Sequence, residues 1–169
     1  MKKIDVIRFV SIGGMLTALT VIFQAAPVFL PAIGLVLSPL STLPIAIAAA
    51  SNILLGCSVL FSSAILLTIV SVQEALILLF TTGLLGIVMG ALLNRKGIII
   101  STLISGLALS LGMIVLTYII GVPAFVELAR SLSTPLILFI FFLFSLVYAS
   151  IWNICVRKLM KYLSSLKAV

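Results

Sequence analysis

The sequence predicts an all-α, polytopic membrane protein: one domain over residues 1–169, six transmembrane helices, and both termini on the cytoplasmic side. Three observations carry this. Residues 9–73 form a run of 65 without a charge, and residues 75–94, 97–126 and 131–155 are charge-free too. At ~1.5 Å rise per residue and ~30 Å of hydrocarbon, the long run holds about three spans and the others one each. Composition agrees, with 8 % charged and 64 % apolar residues where soluble domains have roughly 25 % and 45–50 %. Basic residues supply the third observation: Lys2, Lys3 and Arg8, then Arg95 and Lys96, then Arg157, Lys158, Lys161 and Lys167. The positive-inside rule places all three groups in the cytoplasm, which requires four spans before Arg95 and two after Lys96. Arg130, Glu74 and Glu127 then fall at the outer face.

The first span covers residues 4–26 and ends at Pro27, which lacks an amide donor and disfavours helix in the residue before it. The basic stub, apolar run and Gln24-Ala25-Ala26 have the outline of a secretory signal. Its Gly and Thr content and the apolar segment close behind it favour a retained first helix. Pro27 and Pro31 bracket a short outer connection. The second span, residues 34–50, holds Pro39 and Pro44, and irregular backbone at that depth belongs inside protein or along a cavity. A short, kinked, internal helix is expected. Ser51-Asn52 marks the inner turn, and the third span runs over 53–70. The polar interruption Ser71-Val72-Gln73-Glu74 is the outer turn, and the fourth span occupies 75–93. The fifth, 97–120, stops at Gly121-Val122-Pro123. After a loop carrying Glu127 and Arg130, the sixth covers 135–156, with Pro135 suited to a first turn.

Several functions are disfavoured at once. The net charge of +7 sits between apolar spans rather than on one solvated face, so no nucleic-acid partner is expected. With no histidine, His-based metal sites and Ser-His-Asp chemistry are absent. Cys57 and Cys155 show no ligand spacing and read as packing residues. No Walker-type glycine loop occurs. Glu74 and Glu127 lie on different loops with nothing assembled around them, so neither catalysis nor a cofactor is expected.

Two constellations remain. Small residues recur four apart in Gly14-x-x-x-Ala18, Gly86-x-x-x-Gly90 and Ala108-x-x-x-Gly112, spacing that lets helix backbones approach closely in lipid. Each pair reads either as packing within the bundle or as a partner face, the latter most attractive for Gly14 and Ala18. The second constellation is polar and outer: Gln24, Ser71, Gln73, Glu74, Tyr118, Glu127 and Arg130, all at one predicted depth. Ionisable groups near hydrocarbon are costly and commonly functional. Glu74 reads either as a solvated turn residue or as a site lining, and Glu127 and Arg130 either as a local pair or as part of that site.

A six-span chain that opens with a basic stub and the helix Gly13-Gly14-Met15-Leu16-Thr17-Ala18-Leu19-Thr20, followed by a Pro-rich outer loop, resembles the substrate-binding S components of energy-coupling factor transporters. In that family an Ala-x-x-x-Ala pattern on the first helix meets a transmembrane coupling subunit. Gly14 and Ala18 occupy that pattern, with Gly in the first place. The resemblance implies a bacterial plasma-membrane protein that captures a vitamin-like micronutrient at the outer face, partnered by the coupling subunit and two cytoplasmic ATPases. It also implies a pocket built by the first, third and fifth connections. The stretch Gly83-Leu84-Leu85-Gly86-Ile87-Val88-Met89-Gly90 before Asn94-Arg95-Lys96 also resembles uncharacterised bacterial membrane proteins related to this fold. The outer face is less polar than is usual for S components, so a small, mostly apolar or weakly charged ligand is expected. The alternative is a scaffold protein of a cell-envelope assembly with no small-molecule ligand. An independent secondary transporter is weaker, since the spans offer only Ser, Thr and Gly where coupling ions would sit.

Overall fold

The computed structural model describes residues 3–93, 96–123, 126–127 and 133–166. Among them there are helices and no strands, and six helices are long and apolar enough to cross a membrane. We number these α1 (Lys3–Phe29), α2 (Pro31–Ser51), α3 (Ile53–Val70), α4 (Val72–Leu93), α5 (Ile98–Ile120) and α6 (Thr134–Leu166).

Single residues make three of the connections, and two of these, Asn52 and Ser71, are extended and cap the next helix with their polar side chains. Asn52 leaves α2 and accepts a 2.9 Å hydrogen bond from the Leu54 amide at the start of α3. Ser71 does the same for α4, accepting from the Glu74 amide at 3.4 Å. Each satisfies an amide that the first helical turn leaves without a carbonyl partner. Leu30 joins α1 to α2. Here α1 runs on through Pro27 to Phe29, because a proline in the last turn removes only one bond where the helix is ending anyway. Gly34 then lies so close to the Ala26 and Pro27 backbone that no Cβ fits.

Prolines and π-type turns make three spans irregular. In α2, Ser38–Ser41 is wound as a 3-10 turn around Pro39 before regular helix resumes at Thr42. α4 widens into a π turn at Leu78–Thr82, and α5 does so at Leu116–Ile120 before Gly121 ends it in the left-handed conformation (φ 74°). Widened turns of this kind are frequent at functional sites.

The bundle has a central pair and two flanks. Within the most apolar 18-residue stretch of each span, α4 and α2 are the most buried, at 50 % and 44 %, against 11 % for α1. The kinked α2 is thus among the innermost helices, where its irregular backbone is shielded from lipid. Ala25, Ile45, Leu55, Val59, Leu60, Leu67 and Leu78 form a core joining α1 and α3 to the central pair. Ala46, Leu85, Met89, Leu109, Met113, Phe141 and Trp152 form another that joins α5 and α6 to it. At the basic end α6 is pinned to the start of α5. Asn153 Nδ2 donates to Thr102 Oγ1 at 3.1 Å, Arg157 Nε donates to Asn153 Oδ1, and Arg157 Nη2 donates to the Lys96 carbonyl, both at 2.9 Å.

The three small-residue pairs separate by environment. A Cβ on Gly90 would strike the Ala46 carbonyl, and one on Gly112 would strike the Phe80 carbonyl; both glycines therefore set internal helix contacts. Gly14 has nothing within 4 Å of where a Cβ would be, and it and Ala18 are exposed.

Candidate functional site

Gln24 is the polar centre of the molecule. It sits on α1 at 0 % exposure, in a helix whose neighbours are almost wholly apolar. A buried amide must find partners for its donors and its carbonyl, or lose the desolvation energy. Gln24 Nε2 donates to Glu74 Oε2 at 2.8 Å, and its Oε1 accepts from Ser41 Oγ at 2.8 Å and from Thr82 Oγ1 at 3.2 Å. One side chain of α1 thereby ties together the 3-10 turn of α2, the first turn of α4 and the π turn of α4. The π turn has a visible consequence, since Thr81 and Thr82 are both buried within it.

Glu74 is partly exposed at the end of α4. Among the described residues its carboxylate has no ion-pair partner, and Gln24 holds one of its oxygens. The arrangement presents an oriented anionic acceptor at the end of the bundle that carries the first and third connections.

The other expected site residues are distributed differently. Ser71 stands beside Glu74 as the cap of α4. Gln73 and Glu127 are exposed, and Tyr118 is 50 % exposed on the outside of α5. Arg130 lies outside the described residues. The sequence reading singled out Gln24 and Glu74 but passed over Ser41 and Thr82, which complete their network. Hydroxyls are common in membrane helices, where they bond their own preceding carbonyls, as Thr20 does to Leu16 and Thr117 to Met113.

A half-open, mostly apolar groove of about 200 Å³ lies between α4, α5 and α6, lined by Thr81, Thr82, Leu109, Met113, Phe144 and Tyr148. Nearby, the buried Tyr148 hydroxyl lies against Thr42 and Trp152 without reaching full hydrogen-bond geometry to either, and the buried hydroxyls of Ser101 and Ser105 farther along α5 meet no partner at that geometry among the described residues. Phe144 and Tyr148 stack with ring centroids 5.7 Å apart, and Trp152 follows one turn later at 6.2 Å from Tyr148.

Comparison with protein-family models, with curated proteins and with solved structures finds no match to this chain.

Proposed function

We propose that the chain is the membrane-embedded substrate-binding subunit of an importer of the energy-coupling factor type, taking a vitamin-like or other small micronutrient from the outer face. The observation that carries this reading is the Gln24–Glu74 network. It gathers α1, α2 and α4 around an oriented carboxylate at one end of a six-helix membrane bundle. The positive-inside rule favours the cytoplasm for the opposite end, with Lys96 and Arg157, an orientation that would turn Glu74 outward. The exposed Gly14 and Ala18 on the least buried helix provide a surface on which a coupling subunit's helix can pack closely. Two cytoplasmic ATPases would drive the transport step, since the chain carries no nucleotide-binding loop of its own. Glu74 would accept a hydrogen bond or face a cationic group on the ligand, held in position by Gln24.

Mild-detergent affinity purification from native membranes, with mass spectrometry of proteins and of extracted small molecules, tests this. Recovery of a coupling subunit with two ATPases and an enriched metabolite is expected. Recovery of envelope-assembly proteins without ATPases or ligand would replace the reading with that of a scaffold.

A further inference from the structure

We propose that the groove between α5 and α6 at the basic end of the bundle binds one anionic phospholipid, with an acyl chain along the groove and the phosphate among Lys96, Arg157 and Lys158. The groove has a volume of about 370 Å³, and its walls include Ile98, Ile99 and Leu103 of α5 and Leu146, Ser150 and Ile154 of α6. Ile99, Leu103 and Ile154 are exposed, so it opens toward lipid. The α6 residues recur four apart and share one face of the helix. From Leu146 to Ile154 that face runs about 12 Å at ~1.5 Å per residue, most of the ~15 Å that one leaflet of a ~30 Å hydrocarbon core spans. An open apolar trough of that length suits a single acyl chain.

Charge at its mouth names the headgroup. Lys158 is the next residue on the Leu146–Ser150–Ile154 face, and Lys96 stands just ahead of Ile98 on the other wall. Arg157 joins the two walls, since its Nη2 donates to the Lys96 carbonyl and its Nε to Asn153 Oδ1, both at 2.9 Å. Both acceptors are neutral, so the guanidinium is held in place with its charge uncompensated. Lys96 and Lys158 are exposed, and among the described residues none of the three cations has a carboxylate partner. Of the chain's three acids, Asp5 alone belongs to this end. The positive-inside rule accounts for basic residues here, but not for an apolar groove that ends at them. Basic pockets between membrane helices hold anionic lipid headgroups in this way.

The inference does not rest on the importer reading and needs no partner protein. Native mass spectrometry of the detergent-purified protein, titrated with dioleoylphosphatidylglycerol or dioleoylphosphatidylcholine, tests it. One phosphatidylglycerol should be retained at least tenfold more tightly than phosphatidylcholine. Lys96→Gln with Lys158→Gln should remove most of that preference. Lys2→Gln with Lys3→Gln, which takes the same charge from the chain's N-terminus, should leave it almost unchanged. Ser150→Phe fills the groove and leaves the cations alone, and the Ser150 hydroxyl bonds the Leu146 carbonyl of its own helix at 2.7 Å, so no contact between helices is lost. Phosphatidylglycerol should then bind at least tenfold more weakly. Equal retention of the two lipids by the unaltered protein would overturn the site. An equal loss of preference in the two double variants, or a preference that survives Ser150→Phe, would also overturn it by assigning the attraction to the diffuse charge of the basic end. Displacement of the lipid by inorganic phosphate would reduce the site to an anion site without a lipid chain, and a dimer that takes up neither lipid would give the groove to a second copy of the protein.

Discussion

The Gln24 network and the Tyr148 groove meet at Thr82, and they treat buried polar atoms differently. In the first, the amide, the carboxylate and two hydroxyls are matched to one another within 3.2 Å. In the second, the Tyr148 and Thr42 hydroxyls lie together without full hydrogen-bond geometry. A well-matched network stabilises and fixes helix positions, whereas loosely matched groups contribute less. The comparison separates a tightly bonded polar region from a loosely bonded one.

Breaking the first region gives the largest expected effect. Gln24→Leu removes three interhelical bonds and leaves Glu74, Ser41 and Thr82 to find others, so thermal unfolding in detergent should report a loss of about 2 kcal/mol. The second region should respond more weakly. Tyr148→Phe deletes a loosely bonded hydroxyl with little change in volume, and the same assay should show a change of less than about 1 kcal/mol. A loss as large as that of Gln24→Leu would mean that the hydroxyl is well bonded and the contrast is false. Glu74→Gln, which keeps an oxygen for Gln24 to donate to, should change stability by less than about 1 kcal/mol, and on the proposed importer reading it should reduce uptake of the ligand identified by the purification. Smallest is Gly14→Leu with Ala18→Leu, expected to stay within about 0.5 kcal/mol because both positions are exposed. On the proposed importer reading, that pair should nonetheless prevent co-purification of the ATPases.

Span number and order are legible in the sequence because the hydrocarbon imposes a minimum length and excludes charge, and both constraints act on composition alone. Gln24 and Glu74 stand out for the same reason, as rare strongly polar side chains at the edges of apolar runs. Which faces turn inward is not legible. Spans that are apolar all round carry no periodic signal, so Gly14-x-x-x-Ala18 and Gly86-x-x-x-Gly90 look alike until the structure shows one open and the other against Ala46. Ser41, Thr82 and Tyr148 are hidden for a related reason. A hydroxyl in a membrane helix is unremarkable unless its partner, or its lack of one, is seen. Helix ends shift by a few residues where a terminal proline costs too little to stop the helix, as at Pro27.

The 50 residues that separate Gln24 from Glu74 along the chain have a consequence for biogenesis. At roughly 5–20 residues per second, α1 waits several seconds in the membrane before α4 is synthesised. Throughout that interval Gln24 is an amide in an apolar helix with its main partner still to be made. Ser41 reaches Gln24 and Gly34 packs on the Ala26 and Pro27 backbone well before then, so α1 meets α2 early. The amide donor of Gln24 is the part that waits, and the network closes only with the arrival of Glu74.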